Sequence, residues 1–130
     1  MAIHHINRQD IKKNFAFKCH RNAQTQPNEI YAINSIRFHP VFGTFSTAGA
    51  DGAYHFWDKD SKQRLKQFKN SCMPISASAF NAQGTIFAYA CSYDWSKGHQ
   101  YAEYPDYKPN QIFLHGVSES ELQPRARVVK

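Results

Sequence analysis

Trp57, Lys59, Lys62 and Arg64 place one large ring and three cations within eight consecutive residues. A ring offers a base or an apolar side chain a face to stack on, and cations pair with phosphate or carboxylate. The whole chain leans the same way. Its net charge of +6 and pI near 9.3 suit an acidic partner, either nucleic acid or an acidic peptide. On residue types alone a second reading stands beside this one: Trp57 is a structural ring and the lysines are a solvated turn.

Other chemistries are poorly served. No GxSxG, phosphate-binding Gly loop or HExxH occurs. Ser92, Asp94 and His99 read as loop residues rather than a triad. The seven histidines show no zinc spacing, and His4-His5 would sit on opposite faces of a strand. Neither a catalytic residue, a metal nor a cofactor is expected. Cys19, Cys72 and Cys91 are odd in number and lack a CxxC, which reads as reduced structural thiols inside a cell. No run of about 18 apolar residues suggests membrane insertion, and the first residues do not read as a signal peptide.

The elements that must position Trp57 are β-strands. Residues 46–58 run through small residues to Asp51-Gly52, then alternate to Trp57-Asp58. Asp-Gly between two such runs predicts a hairpin with a type I′ turn. Alternation puts Tyr54 and Phe56 on one face and Ala53, His55 and Trp57 on the other. A strand closing on Trp-Asp is the WD-repeat signature, with a period of ~40–45 residues. In such repeats a loop His, a Ser or Thr, the turn Asp and the Trp form a hydrogen-bonded chain. His20, Thr47 (or Ser46), Asp51 and Trp57 fit those roles.

The rest of the chain follows this frame. Strands are expected at residues 2–6, 14–20, 30–38, 44–48, 53–57, 64–69, 75–80, 85–90 and 111–117. Residues 8–13 and 21–29 read as polar turn and loop. Ile36 and Phe38 share one side of their strand. The polar 64–69 strand suits a sheet edge. Ile33, Phe38, Phe45 and Ala48 recur 42 residues later as Ile75, Phe80, Phe87 and Ala90, and Asp51 becomes Tyr93. Residues 91–110 form an insertion in which Trp95, Tyr101, Tyr104 and Tyr107 mix with Lys97, His99 and Lys108. That composition suits RNA contact or a loop plugging one propeller face.

The expected architecture is all-β: about two and a half blades of a WD-repeat β-propeller. Residues 1–118 form the blades and 119–130 a polar linker and basic tail. Nine strands leave an incomplete ring, since propellers have ~4–8 blades of four strands. The chain therefore reads as the C-terminal part of a longer protein, with unpaired edges at residues 2–6 and 111–117 that invite association.

Several stretches are more specific than a generic repeat. Asn14-Phe-Ala-Phe-Lys-Cys-His-Arg21, Ile30-Tyr-Ala-Ile-Asn34, Phe38-His-Pro40, Phe56-Trp-Asp-Lys-Asp60 and Ala90-Cys-Ser-Tyr-Asp-Trp-Ser-Lys-Gly-His99 resemble the nuclear-pore mRNA export factors of the Rae/Gle type. A WD protein of the mitotic spindle checkpoint is a close relative, but residues 93–98 look like the export factors. The resemblance implies a non-enzymatic scaffold in poly(A) mRNA export, in nucleus, pore and cytoplasm. It implies binding to RNA and to an acidic hairpin (GLEBS-type) motif of a nucleoporin. A checkpoint kinase and ubiquitin-system proteins are further candidate partners, and a mitotic spindle checkpoint scaffold and a general RNA-binding module are the alternative functions. The resemblance adds Phe17 to Trp57, Lys59, Lys62 and Arg64 as an aromatic pocket with a basic rim. It aligns Met1-Ala2-Ile3 with a family strand whose motif-contacting Arg falls before Met1.

Overall fold

Alternation of small and aromatic residues around Asp51-Gly52 builds the central hairpin of a computed structural model that describes residues 1–69, 73–103 and 109–126. The chain divides into two units, Met1–Ile30 and Tyr31–Lys130.

In the first unit, β1 (Ala2–Ile3) pairs antiparallel with β2 (Phe15–Ala16). The N-terminal ammonium donates to Phe17 O at 3.0 Å, and Phe17 N donates to Met1 O. A 3₁₀ helix, Arg8–Lys13, occupies the expected polar turn, and Asn7 caps it by accepting from Gln9 N. Residues 21–29 are more ordered than a loop. β3 (Arg21–Asn22) pairs with β4 (Glu29–Ile30), and Asn22 accepts from Gln24 N inside the connection. Strands of two residues are too short to show a periodicity in sequence.

The second unit begins with a four-stranded antiparallel sheet of β5 (Ile33–Phe38), β6 (Phe45–Gly49), β7 (Ala53–Asp58) and β8 (Gln63–Lys69). β8 is an edge, as its polar sequence required. A three-stranded sheet follows, β9 (Ile75–Phe80), β10 (Ile86–Cys91) and β11 (Gln111–Gly116). The 42-residue repeat is written into the backbone. His39 N donates to Thr44 O, and Asn81 N donates to Ile86 O at the same offset. Phe38 pairs with Phe45 across strands, and Phe80 with Phe87.

The hairpin turn differs from the type I′ expectation. Gly52 has φ +70°, but Asp51 is not left-handed. Gly52 N donates to Gly49 O, and Asp51 Oδ1 accepts from Ala53 N at 3.2 Å. Ala50, Asp51 and Gly52 thus form a three-residue loop, a turn followed by a left-handed Gly. The Asp side chain closes it, so Asp51 need not adopt the strained conformation.

The two sheets meet on aromatic faces. Tyr54 and Phe56 lie 5.0 and 5.5 Å from Phe87, and Tyr54 lies 4.9 Å from Tyr89. Ala48, Ile75 and Cys91 complete this core, and burial pushes the Tyr54 hydroxyl pKa upward. Polar groups stitch β5 to β9: Asn34 donates to Ile75 O, Arg37 Nε to Ser78 O, and the Ser35 and Ser78 hydroxyls sit 2.8 Å apart. Ile36 and Phe38 do share a side, but 42% and 58% exposed. The opposite face of the second sheet carries Ile112 and Leu114, 76% and 71% exposed.

His39 ties the loops of the two sheets. Its Nδ1 accepts from Val41 N and Phe42 N, so Nε2 carries the proton and donates to Gly84 O at 3.0 Å. Gly84 has φ +73°, and a Cβ there would meet the His39 ring at 2.1 Å.

Residues 119–122, expected as linker, form the short helix α1 (Glu119–Leu122). Leu122 is fully buried in the aromatic core, and Thr44 Oγ1 donates to its carbonyl at 2.9 Å. One apolar residue among polar neighbours gives no periodic signal. Phe87→Ala should cost about 3–5 kcal/mol through the cavity it leaves between the sheets, read as a lower urea midpoint.

Candidate nucleic-acid interface

Trp57 is placed by strand alternation on the face away from the aromatic core. It pairs with Phe45 on β6 and with Arg64 on β8. Its Nε1–H donates to Thr47 Oγ1 at 2.9 Å, and its ring stays half-buried. Thr47 rather than Ser46 therefore serves the ring; Ser46 Oγ donates to Arg37 O on the other side. A register shift between Phe56 and Trp57 brings Arg64 opposite Trp57. Asp51 sits in the hairpin turn. His20 lies in the first unit, 2% exposed with φ +50°. Phe17 also lies there, half-buried, in the same strand region as Phe15, whose ring stacks on it at 5.8 Å.

The β7–β8 turn carries the cations. Lys59 Nζ is 2.8 Å from Asp60 Oδ2, a solvent-facing pair worth at most about 1 kcal/mol. Lys62 has φ +58°, and Arg64 is exposed at the sheet edge.

Asp58 organises this turn. It is 2% exposed and accepts from Asp60 N at 2.9 Å and from Arg125 N at 3.2 Å. Burial pushes its pKa up. Polar contacts from Ser61 and the N–H groups of Asp60, Ser61 and Arg125 more than reverse this, leaving it below the ordinary value.

A second carboxylate holds α1. Glu121 accepts from Lys66 Nζ at 2.7 Å, His115 Nε2 at 3.0 Å and Ser118 N at 3.2 Å. Burial again raises its pKa, and Lys66, His115 and Ser118 together bring it below the ordinary value. Sequence reasoning missed Lys66 and Arg125 as the cations that fasten the segment after β11 to β8. Neither stands out among the cations until α1 folds back.

The 91–110 insertion makes its own cluster. Tyr93 lies 5.6 Å from Trp95 and 5.2 Å from Tyr101, and Lys97 Nζ lies 4.6 Å from the Tyr101 ring centre. The Tyr93 hydroxyl accepts from Lys97 N and donates to Gly98 O. Tyr104, Tyr107 and Lys108 lie outside the described residues, as does Cys72. Ser92 donates to Ser76 Oγ, and Asp94 accepts from Ser96 N, so both have structural partners.

Stacked antiparallel sheets built on one 42-residue repeat, with Trp-Asp closing a third strand, define a segment of a WD-repeat β-propeller. Over nearly its whole length the chain is similar to mRNA export factors of the Rae/Gle type. It is 51% identical over 126 residues to the Poly(A)+ RNA export protein of Schizosaccharomyces pombe, a match covering 97% of this chain and 35% of that protein. Identity is also 51% to Protein RAE1 of Arabidopsis thaliana, over 98% of this chain and 35% of the relative. With mRNA export factor GLE2 of Chaetomium thermophilum it is 51%, over 99% of this chain and 36% of the relative. The chain spans about a third of the length of these curated relatives. No family model matches it.

Thr47→Val should cost about 1–3 kcal/mol, because the Trp57 N–H loses its acceptor; chemical denaturation measures it. The depressed Glu121 stabilises the fold fully above its unfolded pKa. That contribution should disappear as pH falls through its folded pKa, below about 4.5. Glu121→Gln should flatten the acid limb of a stability-against-pH curve.

Proposed function

We propose that this chain contributes to a non-enzymatic WD-repeat scaffold in nuclear poly(A) mRNA export at the nuclear pore. Its partners are RNA and the acidic hairpin motif of a nucleoporin, and its places of work are the nucleus, the pore and the cytoplasm. Residues 1–118 act as propeller blades, and residues 119–130 are the basic tail that follows them. Within the central hairpin, Thr47, Asp51 and Trp57 serve as structural residues.

One observation carries the binding reading: Trp57 stands directly across from Arg64, with Lys59 and Lys62 in the turn that joins their strands. A base can stack on the ring while its phosphates meet the cations. The relative named Poly(A)+ RNA export protein supports RNA as the ligand class.

The test is fluorescence anisotropy of a labelled polyadenylate oligonucleotide across a salt series. The triple variant Lys59→Glu, Lys62→Glu and Arg64→Glu should abolish salt-dependent binding while the melting temperature holds. Each lost phosphate contact lowers the log–log salt slope by roughly 0.7 for a single strand. Unchanged affinity and slope would move RNA contact away from this turn.

A further inference from the structure

Arg125 lies 61 residues beyond Arg64 in the chain, yet the fold delivers it to the same turn. Three anchors hold the segment that carries it. Leu122 is sunk in the core, with Thr44 Oγ1 on its carbonyl. Glu121 is clasped by Lys66 on β8 and His115 on β11. Arg125 N–H donates to the buried Asp58 carboxylate. The Arg125 side chain is then aimed along the start of β8, where Nη1 donates to Gln63 Oε1 at 2.9 Å. Gln63 is the register partner of Asp58 and the residue before Arg64. Arg125 is exposed, and a guanidinium has five N–H donors, of which this bond uses one.

We propose that Arg125 is a fourth cation of the surface formed by Lys59, Lys62 and Arg64, and that its ligand is the phosphate backbone of single-stranded RNA. This rests on the RNA reading of the Trp57 turn and extends it to the C-terminal segment, which becomes a strap positioning a binding residue. The carboxylates of Asp58 and Asp60 lie nearby. Asp58 is buried and spent on N–H groups, whereas Asp60 pairs with Lys59 at the surface. A guanidinium fork beyond them suits a phosphate, which accepts two parallel bonds. The half-buried ring of Trp57 beside the cations favours RNA over an acidic peptide, because a base has a π-face to stack and a carboxylate side chain has none.

The experiment measures polyadenylate binding against salt for the full chain and for Arg125→Ala, Arg125→Lys, and the double variant Lys62→Ala, Arg64→Ala. Melting temperatures serve as the folding control. Arg125→Ala should make the slope shallower by about 0.7, and Arg125→Lys should retain it. If Arg125→Ala matches the wild type while the double variant flattens the slope, the strap has no role in binding and the reading of the turn stands. If neither variant changes the slope, the reading of the turn fails and this inference with it. If Arg125→Ala leaves polyadenylate binding intact but weakens binding of a polyglutamate peptide, the ligand is acidic peptide and the RNA assignment is overturned.

Discussion

A buried carboxylate must find donors, and Asp58 finds them on both sides of its strand end. Asp60 N–H supplies one from the turn, and Arg125 N–H supplies one from a segment more than 60 residues away. This requirement fixes the shape of the β7–β8 connection and the path of the segment after α1. The residue beside it, Trp57, is fixed by a different bond, to Thr47 on the neighbouring strand. Within the Trp-Asp pair, the ring therefore locks the sheet and the carboxylate locks what surrounds it. The cations follow these two anchors in the turn and the start of β8, so a rigid frame sets their spacing.

Glu121 acts on the same segment from its other end. It joins β8 of the first sheet to β11 of the second through Lys66 and His115. Phe68 stacks near both groups, 4.8 Å from the His115 ring and 5.2 Å from Lys66 Nζ. The strap thus closes over the outer end of the aromatic contact between sheets. Core packing and the presentation of Arg125 are consequences of one small helix.

Much of the frame was legible in the sequence. The alternation through Tyr54, Phe56 and Trp57, the edge character of β8 and the 42-residue repeat all follow from side-chain period, which the pleat enforces. Legibility ended where structure is short or depends on distant partners. The Asp51-Gly52 dipeptide allows left-handed torsion at both residues, but the Asp51 side chain closes a longer loop instead. α1 is a single turn whose only apolar anchor is Leu122, and β3 with β4 span two residues each. Arg125 reads as tail in sequence because its partners, Asp58 and Gln63, are more than 60 residues away.

The proposed RNA contact is at the Trp57 turn. Photo-crosslinking of bound polyadenylate, followed by mass spectrometry of the adducts, tests it most directly. Adducts are expected on the peptide that carries Trp57. Adducts confined to the aromatic cluster of Tyr93, Trp95 and Tyr101 would contradict it.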